Sequence, residues 1–297
     1  MNHQSLTLAP WQDNFLCRYQ LPKHYIKQVE PIVATIELLY ATTHNDSPWL
    51  LAINGAQGSG KSTLSAYLAE YFKHQHHKKT LVISLDDYYL SPTQRAQKAH
   101  RVHSLFKTRG VPGTHDIKQA MRDMHALIAG DECVIPRFDK SRDCATPKSQ
   151  WQHITDKQHI VIVEGWCMGV AAQTDQQLQQ PINQFEQLQD SDGQFRQCIN
   201  EELKVDYQAF FALFSHYVYL QVTDFNDVYR WRCQQEHQLI TQTGRGMSDQ
   251  TIYEFIQYFE RLTRWAQSCL ATKANIVVQV DSKHHLHLVS TLNDPIT

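Results

Sequence analysis

The 297-residue sequence lacks three features that would each assign it to a different class of protein. No uncharged apolar run reaches the ~20 residues that a transmembrane helix requires. Lys plus Arg number 28 against 30 Asp plus Glu, so the basic excess typical of a duplex-DNA-binding protein is absent. With 42% hydrophobic residues, the chain is also too apolar for a disordered protein. These absences predict a globular protein that binds neither a membrane nor a nucleic acid.

The cysteines and the N-terminal sequence lack the patterns of a secreted or zinc-ribbon protein. The 7 cysteines are odd in number and include no C-x-x-C pair, which argues against a disulfide framework. The opening sequence, MNHQSLTLAPWQDN, has no basic start followed by an apolar core, so it does not match a signal peptide. We therefore expect reduced thiols and a cytoplasmic location.

The 17 histidines are many for this length, and two clusters suggest a comparison with metal sites. The clusters are His74, His76 and His77, and His284, His285 and His287. Neither cluster is joined by a cysteine or a carboxylate at the spacing of metal ligands. We therefore predict that both lie on solvated surface and hold no metal.

Five short, nearly continuous apolar runs indicate the fold class. They lie at 49–54, 80–85, 160–164, 217–222 and 276–280. Such runs are typical of parallel strands that are buried on both faces. Helical patterns follow at 61–73, 116–129, 198–214, 226–242 and 248–270. This alternation predicts an α/β protein with a five-stranded, mostly parallel sheet and helices on both faces.

Two segments lie outside this alternation. Residues 11–43 have the pattern of two helices, with Pro22 and Pro31 as boundaries or kinks. Residues 172–194 are rich in Gln and Asp and poor in β-branched residues, which favours a mobile insertion over core. We predict an N-terminal helical extension, 1–48, that packs on a main domain, 49–297.

Residues 55–62, GAQGSGKS, match the phosphate-binding motif G-x-x-x-x-G-K-[ST] between a predicted strand and a predicted helix. Glycines let backbone N–H groups converge on phosphates, and the helix N-terminus adds partial positive charge. Lys61 reaches the β- and γ-phosphates, and Ser62 offers its hydroxyl to Mg²⁺. The motif predicts a P-loop NTPase three-layer sandwich with ATP and Mg²⁺ as ligands, although GTP is not excluded by the motif. The predicted nucleotide-binding residues are Gly55, Ala56, Gln57, Gly58, Ser59, Gly60, Lys61, Ser62 and Thr63.

Carboxylates follow two other predicted strands, where an open α/β sheet forms its ligand crevice. Asp86 follows the second strand, and we assign it, ahead of Asp87, as the base that accepts a hydroxyl proton. Glu164 ends the third strand in the manner of a Walker B carboxylate. We predict that Glu164 holds Mg²⁺ together with Ser62 and Asp86, directly or through water. A structural Glu164 at the mouth of the sheet is the alternative.

Arginines follow predicted strands and loops in three places. Arg109 and the loop after it, which opens a helix, are predicted to clamp an anion. Because guanidinium groups bind carboxylates in a bidentate manner, we assign Arg109 and Arg137 as substrate anchors. Arg230 and Arg232 begin a helix after the fourth strand and are predicted to cover the nucleotide phosphates. Arg245 is predicted to lie around the same crevice.

The motifs together resemble the D-glycerate 3-kinase family, a branch of the P-loop kinases near uridine kinase, phosphoribulokinase and pantothenate kinase. They are GAQGSGKS, SLDDYYL, RGVPGTHD, PRFDKS, VEGW, YRWRCQQE and GMSD, and the likeness runs from about residue 30 to the C-terminus. The resemblance implies that Asp86 is the catalytic base and Glu164 the Mg²⁺-associated carboxylate. It also places His115, Asp116, Arg137 and Lys140 near the acceptor, and we assign Asp87 and Tyr89 to the same substrate side.

The sequence departs from this family at one point. After F-D-K-S the family often continues with an Asp-Arg pair, whereas this chain has Arg142 and Asp143. An arginine that contacts the substrate is therefore absent or supplied by Arg142.

The predicted function is that of an ATP-dependent kinase of a small alcohol, and the resemblance makes D-glycerate the best single acceptor. Asp86 takes the hydroxyl proton, while Lys61, Arg230 and Arg232 act with Mg²⁺ to offset charge on the transferred phosphoryl group. A kinase of another alcohol, such as a nucleoside, a sugar or a pantothenate-like compound, remains an alternative. The oligomeric state is left open.

A non-catalytic ATP-binding regulatory protein is the alternative from a different class. A GTPase switch usually carries N-K-x-D or T-K-x-D, and residues 272–275, TKAN, fail at the last position. A sensor that had lost turnover is expected to have lost Lys61, Asp86 or Glu164, and all three are present. The sequence therefore favours a catalytic kinase.

Overall fold

The computed structural model describes residues 7–43, 47–244 and 246–291. Within these residues the strands are β1 (Trp49–Gly55), β2 (Thr80–Ser84), β3 (Cys133–Ile135), β4 (Phe138–Asp139), β5 (Cys144–Ala145), β6 (Gln152–Ile154), β7 (Ile160–Gly165), β8 (His216–Val222), β9 (Ile276–Val280) and β10 (Leu286–Thr291). The helices are α1 (Pro10–Tyr19), α2 (His24–Ala41), α3 (Lys61–His76), α4 (Pro92–Arg101), α5 (Ile117–Ala129), α6 (Asp175–Leu178), α7 (Gln184–Gln189), α8 (Gln194–Glu202), α9 (Gln208–Phe211), α10 (Phe225–Thr243) and α11 (Asp249–Cys269).

The central sheet has the strand order β10-β9-β8-β1-β7-β2. The five predicted strands are all present and pair in parallel. The sheet has one strand more than predicted, because β10 adds to the edge of β9 in the antiparallel direction. Its side chains are mostly exposed or half-buried, so it lacks the continuous apolar run by which the other strands were predicted.

Helices cover both faces of the sheet and form two cores. Because successive strand residues point to opposite faces, Leu50 and Ala52 lie in one core while Leu51 and Ile53 lie in the other. The first core includes side chains of α5, and the second includes side chains of α1, α2 and α3. The predicted three-layer α/β architecture is thereby confirmed.

Local sequence signals explain where helix α5 begins and ends. Asp116 precedes α5, and its Oδ1 accepts the Gln119 backbone N–H at 2.9 Å. Gly130 then ends α5 in the left-handed conformation, with a φ of 79°. The helix predicted over 198–214 is interrupted, since Leu203–Tyr207 forms a π-helical turn between α8 and α9.

The N-terminal helices pack on the main sheet and on α3. Pro22 lies between α1 and α2, as predicted, whereas Pro31 lies inside α2 and is not a helix boundary. The Tyr71 hydroxyl on α3 donates to Oε2 of Glu37 on α2 at 2.9 Å. The division into domains at residue 48 stays a prediction.

Residues 172–194 differ from the predicted insertion outside the core. Leu178, Glu186 and Asp190 are buried. The guanidinium group of Arg261 pairs with Glu186 at 2.6 Å, and that of Arg196 pairs with Asp190 at 3.0 Å. Two of the acidic residues in this segment therefore belong to buried ion pairs, which a count of β-branched residues does not detect. The mobility of the segment stays a prediction.

All seven cysteines lie in the described residues, and each is a free thiol. This agrees with the prediction that the chain has no disulfide framework. Among the helices of the described residues, none is both long and apolar enough to cross a membrane.

Candidate active site

The phosphate-binding loop joins the central strand β1 to helix α3. Gly58 and Gly60 adopt φ angles of 80° and 88°, which favour glycine. A Cβ on Gly58 would also approach Cβ of Trp231 to 2.7 Å, whereas a Cβ on Gly60 would meet nothing within 4 Å. The backbone therefore faces open space at Gly60, next to the first-turn N–H groups of α3 that have no carbonyl partner within the helix. This geometry fits an anion.

Three side chains meet beside this loop. The Ser62 hydroxyl donates to Oε1 of Glu164 at 2.9 Å, and Nζ of Lys61 lies 3.7 Å from Oε2 of the same residue. Glu164 is buried, and its Oε2 has no hydrogen-bond partner among the described residues. A buried acceptor oxygen next to a hydroxyl is a donor set that suits Mg²⁺. We refer to residues 55–63 and Glu164 as the phosphate side of the site.

Asp86 lies just past the end of β2, in a 3₁₀ turn at Leu85–Tyr88. Its Oδ1 accepts a hydrogen bond from the Tyr89 hydroxyl at 2.7 Å, and its Oδ2 accepts one from Nζ of Lys140 at 2.5 Å. Burial acts to raise the pKa of Asp86, but the charges of Lys140 and Lys61 outweigh it and hold that pKa well below its usual range. Asp86 is therefore a carboxylate at neutral pH.

His115 lies against Asp86 and carries an unused polar atom. Its Nε2 is buried without a hydrogen-bond partner among the described residues and lies 4.0 Å from Oδ1 of Asp86. Its Nδ1 lies 2.6 Å from the Tyr207 hydroxyl, which also accepts the Gly113 backbone N–H at 3.0 Å. If Tyr207 donates its own proton to Nδ1, the imidazole proton is on Nε2, facing Asp86. We refer to Asp86, Tyr89, His115 and Lys140 as the acceptor side.

Asp87 and Arg137 form an ion pair. Nη1 of Arg137 donates to Oδ2 of Asp87 at 2.7 Å, and the Phe138 backbone N–H donates to Oδ1 at 3.0 Å. Arg137 also contacts Oε1 of Gln152. Asp87 thus attaches the β4 segment to the end of β2, a structural task that leaves Asp86 as the carboxylate in contact with Lys140. The substrate-binding roles of Asp87 and Arg137 stay predictions.

Arg109 is held by a residue that the sequence analysis did not select. Its Nη1 donates to Oδ1 of Asp143 at 2.5 Å, and its Nη2 donates to the Lys140 carbonyl at 2.9 Å. Asp143 also contacts the guanidinium group of the buried Arg95. Arg142, in contrast, is 80% exposed and lies 3.6 Å from Asp139. The inverted Arg-Asp order thus supplies a clamp on Arg109 and turns Arg142 towards solvent.

The loop after Arg109, which was predicted to clamp an anion, uses several of its backbone N–H groups in contacts within the protein. The Gly110 N–H donates to the Thr114 hydroxyl at 2.9 Å, the Gly113 N–H donates to Tyr207, and the Asp116 N–H donates to the Tyr88 carbonyl at 2.7 Å. These three N–H groups are therefore engaged by protein acceptors, and the anion clamp stays a prediction. The Asp116 carboxylate is also engaged, because it caps α5.

Arg230 and Arg232 lie on α10, whose Trp231 contacts the phosphate-binding loop at Gly58. Arg230 pairs with Asp227, and Nη2 of Arg232 lies 2.5 Å from Oε2 of Glu236, so each arginine pairs with a carboxylate of its own helix. Their action on phosphates stays a prediction. Arg245 lies outside the described residues.

One histidine cluster differs from its prediction. His284, His285 and His287 are joined by Asp281, whose Oδ2 lies 3.0 Å from Nδ1 of His285 and 3.6 Å from Nε2 of His287. The prediction that no carboxylate joins this cluster is therefore wrong, because a tight turn brings Asp281 back to residues four and six positions later. In the other cluster, His74 pairs with Glu70, one turn earlier on α3, and His76 pairs with Glu37 on α2.

Comparisons with known proteins identify the family of this chain. The model of the "Phosphoribulokinase / Uridine kinase family" matches residues 50–184. The uncharacterized kinase mug58 of Schizosaccharomyces pombe is 33% identical over 221 residues, which are 71% of this chain and 78% of that protein. The chloroplastic D-glycerate 3-kinase of Arabidopsis thaliana is 27% identical over 222 residues, which are 71% of this chain but 46% of that protein.

A solved structure supports the fold. The structure of D-glycerate 3-kinase from Cryptococcus neoformans superposes with a TM-score of 0.74, covering 89% of this chain and 98% of that one at 21% sequence identity. The fold and the phosphate side together define a P-loop kinase. The chain belongs to the phosphoribulokinase/uridine kinase family, which confirms the resemblance drawn from its motifs.

Proposed function

We propose that the protein is an ATP-dependent kinase that transfers the γ-phosphoryl group to a hydroxyl of a small hydroxy acid, with D-glycerate as the best single acceptor. The observation that carries the proposal is the position of Asp86. It lies two residues beyond Ser84, the β2 residue paired with Glu164. A carboxylate that can accept a hydroxyl proton thus lies directly beside the phosphate side.

The phosphate side supplies the groups that a nucleotide requires. The loop N–H groups and the N-terminus of α3 bind phosphate oxygens, and Lys61 contributes a positive charge. Ser62 and Glu164 would hold Mg²⁺. When bound, Mg²⁺ neutralises charge on the phosphate oxygens. Arg230 and Arg232 cover the phosphates from α10, provided that each leaves its partner carboxylate on that helix.

On the acceptor side, Asp86 orients the acceptor hydroxyl and receives its proton. Lys140 must then move away from Asp86, because the Lys140 ammonium group is hydrogen-bonded to Oδ2 of that carboxylate. The Lys140 side chain is 58% exposed, and it lies between the two-residue strands β4 and β5, so little packing holds it in place. A substrate carboxylate provides a new partner for this ammonium, while Nε2 of His115 donates to a second substrate oxygen.

The recognition of a carboxylate rests on cations that border the acceptor side. Resemblance to the two D-glycerate 3-kinases supports glycerate, and Lys140 is the cation best placed to bind its carboxylate. Arg109 and Arg137 are each paired with a protein carboxylate, Asp143 and Asp87. Because both arginines are engaged by protein carboxylates, the single carboxylate of glycerate has Lys140 rather than an arginine as its nearest cation, and an uncharged alcohol is the second candidate.

The test is an ADP-release assay across D-glycerate, uridine, pantothenate and ribulose 5-phosphate with the purified full chain. We expect D-glycerate to give the highest kcat/KM. In the Asp86→Asn variant we expect kcat to fall about 10²- to 10⁴-fold, while Mg·ATP binding is retained. Asp87→Asn tests the alternative base, and we expect it to lower kcat less than Asp86→Asn does, because the Asp87 carboxylate is already engaged by Arg137 and the Phe138 N–H.

A larger loss of kcat in Asp87→Asn than in Asp86→Asn would reverse the assignment of the base. If uridine or pantothenate is the better acceptor, the protein is still an ATP-dependent kinase, but the assignment of D-glycerate as its acceptor is wrong. If no alcohol stimulates ADP release while Mg·ATP binds, the regulatory alternative replaces the kinase.

A further inference from the structure

The turn between β9 and β10 gathers three side chains that metal ions prefer as ligands. Asp281, His285 and His287 each offer one ligand atom, and these atoms all lie within 4.8 Å of one another. The group lies at the edge of the sheet, beyond β8 and β9 from the phosphate side. The proposed phosphoryl transfer uses none of these residues.

The distances fit a tetrahedral zinc ion. Zinc–nitrogen and zinc–oxygen bonds of about 2.0–2.2 Å place neighbouring ligand atoms about 3.3 Å apart in a tetrahedron. Oδ2 of Asp281 lies 3.0 Å from Nδ1 of His285 and 3.6 Å from Nε2 of His287, on either side of that value. Two imidazoles with one carboxylate suit Zn²⁺ better than Mg²⁺ or Ca²⁺, which prefer sets of oxygen ligands.

The carboxylate is already oriented for this role. Oδ1 of Asp281 accepts the backbone N–H groups of Lys283 and His285, each at 2.8 Å. These bonds fix the carboxylate and direct the other oxygen, Oδ2, towards the two histidine rings. The exposed fractions of the Asp281, His285 and His287 side chains are 33%, 34% and 57%, so an ion can enter from solvent. A fourth position is left for water.

The same turn supports the phosphate-binding loop. His284 adopts a φ of 62°, in the left-handed region, because the turn closes with its N–H donating to the Asp281 carbonyl at 2.9 Å. Its Nε2 lies 2.9 Å from the Gly58 carbonyl oxygen, and its ring lies 4.4 Å from that of Trp231. The ligands Asp281, His285 and His287 lie before and after His284 in the chain. An ion bound to them would therefore restrain the contact between His284 and the Gly58 carbonyl oxygen.

We propose that Asp281, His285 and His287 form a Zn²⁺ site that fixes this turn against the phosphate-binding loop. The site is separate from the Mg²⁺ ligands Ser62 and Glu164, and it acts on the loop through His284.

The test uses the full chain, freed of metal with a chelator and titrated with Zn²⁺ by calorimetry. We expect one equivalent to bind, and we expect the Asp281→Asn, His285→Ala and His287→Ala variants each to weaken binding by about 10- to 100-fold or more. His125→Ala removes an exposed histidine of α5 and is the matched control, with unchanged affinity. His287 lies on the exposed edge strand, so its variant remains informative if another fails to fold.

A second readout separates this site from the free thiols. Co²⁺ in the zinc position is expected to give the visible absorption of tetrahedral nitrogen and oxygen ligands without a thiolate charge-transfer band. Hydrogen exchange of the N–H groups around Gly58 is expected to slow when Zn²⁺ binds. Equal Zn²⁺ affinity in all four variants, or a thiolate band, would overturn the site. Binding without a change in exchange would overturn its link to the loop.

Discussion

The phosphate side and the acceptor side of the site are built differently. On the phosphate side, residues 55–63 are contiguous, and much of the recognition comes from backbone N–H groups. On the acceptor side, Asp86, His115 and Lys140 come from separate segments, and their contacts are between side chains. His115 is in turn held by Tyr207, 92 residues away along the chain.

This difference has a physical consequence for substrate choice. A backbone cradle binds any nucleotide phosphate, and its geometry is fixed by the strand and helix that flank it. An acceptor pocket made of side chains changes when any one of its supporting residues changes. We therefore expect phosphate-side variants to lower turnover with every acceptor, and acceptor-side variants to change the KM of the acceptor.

Among variants of the phosphate side, the largest effect is expected for Lys61→Ala. The variant removes the charge that faces the phosphates and leaves the buried carboxylate of Glu164 without its cation. We expect kcat to fall about 10³-fold with every acceptor, measured by ADP release. Lys73→Ala, at an exposed lysine of the same helix, is the control. A loss below about tenfold would show that the phosphate side is not essential.

A smaller effect is expected for Glu164→Gln. The amide keeps the size of the side chain but removes the charge that we assign to Mg²⁺. At low Mg²⁺ concentration we expect turnover to fall about 10²-fold, and excess Mg²⁺ should restore part of it. Glu132→Gln, at an exposed position, is the control. An unchanged Mg²⁺ dependence would favour the structural alternative for Glu164.

On the acceptor side, His115 makes stability depend on pH. Burial lowers the pKa of His115 from 6.5 to about 4, although Asp86 acts in the opposite direction. Between these two values the unfolded chain binds a proton that the folded chain does not, so stability falls as the pH falls through this window. Relative to His115→Gln, we expect the wild type to lose on the order of 2 kcal/mol, measured by urea unfolding from about pH 7 to about pH 4.5. Parallel curves for the two proteins would contradict a buried, neutral His115.

The smallest effect on catalysis is expected for Tyr207→Phe, because Tyr207 lies behind the acceptor side and contacts it only through His115 and Gly113. Loss of the hydroxyl leaves the Gly113 N–H and Nδ1 of His115 without a partner, and we expect the free energy of unfolding to fall by about 2 kcal/mol or more, since each buried group left unpaired costs roughly 1–3 kcal/mol. We expect the KM of the acceptor to rise several-fold while that of ATP is unchanged. Tyr253→Phe, at an exposed tyrosine, is the control. A rise in the KM of ATP would show that the two sides are not separable.

The parts of the site that local sequence specifies were predictable. The five parallel strands were recognised because they are buried on both faces, and the glycine loop was recognised because its φ angles and its position before a helix require that motif. The antiparallel β10 was not recognised, since an exposed edge strand needs no apolar run.

The supporting residues were missed for a different reason. Asp143 joins Arg95 and Arg109 across 48 and 34 residues of chain, and no spacing along the sequence encodes such a contact. Asp281 was closer to detection, because it precedes His285 by four residues within one turn. An Asp-x-x-x-His-x-His pattern next to a strand end was the available signal.

The π-helical turn at Leu203–Tyr207 makes the length of this segment a determinant of the site. A π turn holds one more residue than an α-helical hydrogen-bonded ring. The extra residue is taken up inside the turn, so the helical segments on either side keep their relative direction. Deleting one residue there, for example Val205, which is 64% exposed, would convert the π turn to an α turn and leave Tyr207 facing the same way relative to α8, whereas inserting a further residue would rotate it by about 100°. Substitution or deletion of Val205 should therefore be tolerated, whereas an insertion in this turn should turn the buried Tyr207 hydroxyl away from His115.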